Sequence, residues 1–375
     1  MQLHLHPTRH EALTASETVL TRWSLESSPA SILAQYTTAP ESVFRPSYSP
    51  ASPQSLYRGI TSSPGEDCFV HRHLTPTTPG HFDFSCDLAW RSWDDLSLVR
   101  TRLRPPTFGR LNSLACSPDG RWLVMECIEH TSHAPGVSPN VERLFLLDGH
   151  TGEVISRHDI NAFYASSLAF DPTSTFVAAS LCSYDGESLL TLWRLTSAAQ
   201  FIPRPATSYY VNAHDYWQDE VSGSMALTLL KPELDQEDIK DQIRLQDWSD
   251  LDIPSGEGLV IFSPQGQVLL FSLNGSLGGG ECIMIAYAVP SGRALWRTHP
   301  PVESSGQAIF HPDGRTIFLP EQGGDLLVYR AENGALVQRL PTGLSKPVQA
   351  LAFDHDGKTL WLATEEGLVQ YQPQR

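Results

Sequence analysis

The sequence predicts an all-β fold, a seven-bladed propeller of four-stranded sheets, with six blades as the rival count. Three observations predict it. One turn motif recurs five times between short apolar runs. A second hairpin-like run follows most copies of it. The last unit also ends one strand short, while the N-terminal segment holds a strand-like run of the right kind. A repeat of this length signals a stack of identical supersecondary units.

The motif is an apolar strand, then Ser/His/Asp-Pro/His-Asp/Gln-Gly, then a second apolar strand. It occurs at Leu111–Val124, Leu259–Leu270, Ala308–Phe318 and Leu351–Trp361. A fifth copy, Leu168–Val177, has Ser174 where the others have Gly. Pro presets φ for a turn, Asp bonds back to its own backbone, and Gly accepts a positive φ. The flanking runs are short and rich in β-branched and aromatic residues, as strands are. The following hairpins include Arg143–Ile155, Leu190–Leu195, Met284–Trp296 and Leu326–Val337, and Asn333-Gly334 is a two-residue turn signal. Each unit therefore reads as four strands, here called a, b, c and d.

The turn anchors Gly120, Ser174, Gly266, Gly314 and Gly357 are spaced by 54, 92, 48 and 43 residues. The 92 is close to a double spacing, which places a degenerate unit about Ser222-Gly223-Ser224. Ser63-Pro64-Gly65 is a scrambled anchor upstream of the first clear one. The expected organisation is one domain over 1–375. It comprises closing strands at 17–38, a proline-rich extended connector at 39–53 and an irregular first blade at 54–105. Two clear blades follow at 110–205, a degenerate blade with an acidic insertion at 206–256, and three clear blades at 257–375. After Gly357 the chain supplies only two more strands. Val19–Leu25 and Ile32–Tyr36 are expected to complete the last blade and close the ring, leaving no long unpaired edge.

These blades resemble those of WD-repeat proteins, in the diverged style of bacterial propellers with Ser-Pro-Asp-Gly turns. The resemblance covers about 110–205 and 257–375. The family's Gly-His and Trp-Asp dipeptides do not recur at their offsets, and Gly149-His150 and Trp93-Asp94 stand alone. The family's buried hydrogen-bond tetrad is therefore expected to be absent from most blades. The resemblance implies a protein-binding scaffold. It also implies that b–c and d–a connections share one face. Three long b–c candidates fall there: Glu129–Asn140, Asn274–Glu281 and Lys231 to Asp241.

Composition narrows the function. The 375 residues carry 42 acids against 26 bases, a formal charge of −16, which disfavours nucleic acid and anionic membrane as partners. Glu233–Asp252 alone holds eight acids against Lys240 and Arg244. Its Pro232 start and the Leu234, Ile239 and Ile243 spacing predict a short rim helix, or an acidic docking element for a basic protein. The six cysteines form no C-x-x-C pair and sit in strand-like runs, as reduced core thiols do. The start of the sequence lacks signal-peptide features and no apolar run is long enough to span a bilayer, so the expected location is cytoplasmic.

His4, His6 and His10, and His130 with His133, are weak metal candidates. No nucleophile elbow, zincin motif, P-loop or dinucleotide fingerprint is present. Trp23, Trp122, Trp193, Trp296 and Trp361 read as blade core. The expectation is a non-catalytic protein-protein interaction scaffold, a monomer or member of a hetero-complex, with no cofactor or metal. Its candidate partner-binding residues are His130, His133, Glu233, Asp235, Glu237, Asp238, Asp241, Glu321, Glu365 and Glu366. The alternatives are a propeller enzyme, hydrolase or lactonase-like, with its site at the central channel, or a regulatory ligand-sensing module.

Overall fold

The five marked turns share one geometry in the computed structural model. In each, the fourth residue donates its N–H to the carbonyl of the first: Gly120 to Ser117, Ser174 to Asp171, Gly266 to Ser263, Gly314 to His311 and Gly357 to Asp354, at 2.8 to 3.1 Å. The fourth residue holds φ between 58° and 73° in all five, and Ser174 is the one non-glycine residue with positive φ among the described residues. The first side chain explains the Ser/Asp preference there. Ser117 Oγ, Asp171 Oδ1, Ser263 Oγ and Asp354 Oδ1 each accept the N–H five residues on, so the side chain braces the turn it starts.

The structure describes residues 2–372 except 7–8, 16–18, 28, 38–59, 63–67, 77–83, 104–107, 131–139, 161–162, 184–187, 196–200, 204–208, 211–257, 274–281, 302–303, 305–306 and 355. No helix occurs among the described residues, and the strands form seven antiparallel sheets. The first holds β1 (Gln2–Leu5), β2 (Glu11–Ala15), β3 (Val19–Ser24) and β4 (Ser31–Thr37); the second β5 (Ile60–Ser62), β6 (Cys68–Pro76), β7 (Phe84–Ser92) and β8 (Val99–Leu103). The third holds β9 (Phe108–Cys116), β10 (Trp122–His130), β11 (Asn140–Asp148) and β12 (Val154–Asp159). The fourth holds β13 (Phe163–Phe170), β14 (Phe176–Ser183), β15 (Ser188–Leu195) and β16 (Phe201–Pro203), with β17 (Tyr209–Tyr210) also pairing β15. The fifth is β18 (Gly258–Phe262), β19 (Val268–Leu273), β20 (Ile283–Ala288) and β21 (Ala294–Thr298). The sixth is β22 (Ile309–Phe310), β23 (Thr316–Pro320), β24 (Leu326–Arg330) and β25 (Leu336–Leu340); the seventh is β26 (Ala350–Phe353), β27 (Leu360–Thr364) and β28 (Gly367–Tyr371). Repeated four-stranded meanders without helices are consistent with a propeller-like fold.

Apolar faces between neighbouring sheets make the core. Val124, Leu144 and Leu146 of the third sheet pack with Val177, Leu181 and Trp193 of the fourth. Met284 and Trp296 of the fifth pack with Leu319, Leu327 and Tyr329 of the sixth. Leu326 and Leu340 of the sixth pack with Leu351 and Leu362 of the seventh. The seams carry hydrogen bonds as well. Trp90 Nε1 donates to Gly149 O at 3.0 Å and Trp296 Nε1 to Ala331 O at 2.7 Å. The turns also meet side by side: Asp119 N–H donates to Ser174 Oγ, Gln265 Nε2 to Asp313 O, and His311 Nε2 lies 3.0 Å from Gly357 O.

The structure corrects two expectations. Val19–Ser24 and Ser31–Thr37 do not complete the last sheet; they are the third and fourth strands of a sheet that begins at Gln2. A local hairpin closes a shorter loop than pairing with a strand over 300 residues away, and short loops cost less entropy. What remains of the expected link is one main-chain bond, Ala30 N–H to Leu368 O at 3.1 Å, with Trp361, Ala363 and Leu368 packed on Ala12 and Trp23. The last sheet accordingly has three strands among the described residues.

The degenerate unit about Gly223 falls on 211–257, outside the described residues. The sheets that flank it touch directly, however. Ser166 Oγ donates to Gly258 O at 2.8 Å, Val260 N–H donates to Ser167 Oγ at 3.3 Å, and Ala178 packs with Val260 and Phe271. The fourth and fifth sheets are therefore direct neighbours. The rim helix expected after Pro232 and the connector at 39–53 likewise lie outside the described residues. Finally, Asn333-Gly334 is not a two-residue turn. Gly334 N–H donates to Arg330 O, and Arg330 N–H to Ala335 O, a wider loop shared with Gly152 and Gly292.

Candidate functional site: the loop-bearing end of the sheets

The two ends of the third to seventh sheets differ in kind. The end carrying their a–b turns is built from the repeated four-residue turn. The c–d turns at Asp148–Gly152, Ala288–Gly292 and Arg330–Gly334 lie at that same end and share a second fixed geometry. The other end carries the b–c connections, and these vary. Two residues suffice between β27 and β28, five between β23 and β24, and nine between β10 and β11. The segments 131–139 and 274–281 do connect second to third strands, as expected.

Of the candidate residues, the structure brings four to this end. His130 is the last residue of β10 and pairs with Asn140 across the connection. Glu365 and Glu366 form the two-residue turn between β27 and β28 and are exposed. The Thr364 hydroxyl accepts the Glu366 N–H at 3.2 Å, and Glu365 Oε1 accepts from Gln349 Nε2 at 3.4 Å. Glu321 starts the turn between β23 and β24 but points inward. It is 7% exposed, and its carboxylate is engaged by the Arg339 guanidinium, whose Nε also sits 3.2 Å from Asp325 Oδ2. The Glu321 carboxylate is thus committed to Arg339 within its own sheet. His133, Glu233, Asp235, Glu237, Asp238 and Asp241 lie outside the described residues.

Sequence reasoning missed Arg339 and Asp325. Arg339 sits on the outermost strand of its sheet, eighteen residues from Glu321, and only the strand register brings the two together. The d–a connection reaches the same end. Thr342 Oγ1 donates to Gly324 O at 2.7 Å, and a Cβ at Gly324 would lie 2.9 Å from Leu344 O, so 342–346 closes over the Glu321 turn.

Behind this turn, burial suppresses ionisation. The Cys282 thiol is pushed up to about 12 by desolvation, so it holds no thiolate at neutral pH and is a poor nucleophile. The Tyr329 phenol is raised above its ordinary range by burial, then by the Cys282 and Glu321 charges. His4 is lowered to about 4 by desolvation, with Nε2 sealed from solvent, so it is neutral at pH 7. Among the described residues no three His, Cys, Asp or Glu side chains gather closely enough to hold a metal ion. No helix among the described residues is long and apolar enough to cross a membrane.

No model of a known protein family matches the chain, and no curated protein matches it.

Proposed function

We propose that this chain is a seven-bladed propeller, closed by its first sheet packing on its last, and that it acts as a binding scaffold. Its partner is a protein, held on the end that carries the b–c connections. The observation that supports this reading is the contrast between the two ends. One is a belt of near-identical turns locked to each other, which leaves little room for specificity. The other varies in connection length and presents exposed acids such as Glu365 and Glu366. Loops on a rigid scaffold are where recognition concentrates. The acidic character suits a basic surface on the partner.

The test places a photo-crosslinking residue at exposed Gln322 on the variable end, and separately at exposed Glu332 on the turn belt, in the cells that express the chain. The expected result is a discrete crosslinked protein from position 322 and none from 332. Crosslinks from 332 alone, or the same products from both, would remove the proposal.

A further inference from the structure

We draw no further inference here: the strongest candidate, the buried Glu126–Ser113 cross-strand pair on the face of the third sheet that meets the fourth, gathers no set of metal-ligating side chains among the described residues, and nothing in the structure shows what it would hold.

Discussion

At single positions the turn belt leaves little tolerance. Ser174 holds φ 58°, a conformation that costs a side-chain-bearing residue about 1 kcal/mol, and its hydroxyl offsets this by accepting the Asp119 N–H of the neighbouring turn. Ser174→Gly is expected to stay within about 0.5 kcal/mol of the parent, because relief of φ balances the lost bond. Ser174→Ala keeps the strain and loses the bond, and is expected to cost about 1 kcal/mol by urea denaturation. Gly149 is tighter. A Cβ there would lie 2.1 Å from the Gly120 carbonyl oxygen, a backbone atom that cannot swing aside. Gly149→Ala is expected to cost more than about 2 kcal/mol. Titration acts at this scale too. Asp119, Asp148 and Asp313 lose affinity for protons through turn hydrogen bonds that outweigh partial burial, so their support is present above their ordinary range and is lost as pH falls below about 4. His4 acts earlier. The unfolded chain takes its proton near 6.5 and the folded chain only near 4, so stability falls as pH drops across that window. His4→Leu is expected to flatten the decline of the urea midpoint between pH 7 and pH 5; an unchanged slope would show that His4 is hydrated in the fold.

Between elements, the sequence is readable where one residue type has one job. Five anchors are visible because positive φ demands Gly, or at Ser174 a braced exception, and four of them also because Ser or Asp accepts the N–H five residues on. The first two strands, Gln2–Leu5 and Glu11–Ala15, are hidden in the sequence because the turn between them lacks the motif. The Arg339–Glu321 pair was hidden for another reason: strand register, not spacing, makes it. Packing between sheets is equally invisible in a single repeat. Gly334 holds φ 68°, and a Cβ there would lie 2.4 Å from the Trp296 ring, whose Nε1 bonds Ala331 O. Two penalties coincide, so Gly334→Ala is expected to lower stability by about 2 to 4 kcal/mol, more than Gly343→Ala, where φ is 73° but nothing lies within 4 Å. Equal losses in the two variants, measured by thermal unfolding, would show that Trp296 yields.

Across the whole molecule, the first sheet decides whether seven sheets behave as one. It packs on the second sheet through Leu13, Leu20, Trp93 and Leu96, and Arg22 donates to the Trp93 and Asp94 carbonyls at 2.8 Å while paired with Glu11. On its other side Ala12, Trp23 and Ala30 cover Trp361, Ala363 and Leu368 of the seventh. If these contacts close a ring, each sheet has two neighbours and removal of one exposes two apolar faces at once. Contacts of that kind couple the sheets into a single cooperative unit, whereas an open stack frays from its ends. Deleting residues 1–37 separates these cases by hydrogen exchange. In a closed ring, protection is expected to fall together in β7 and in β27–β28, which are far apart in sequence, and the thermal transition to broaden. In an open stack that begins at the first sheet, the segment around Trp93 would lose protection alone, and β27–β28 would keep their parent rates. The first outcome follows from Trp93 and Trp361 both being nearly solvent-free, at 0% and 3% exposure, in contacts that the same 37 residues provide.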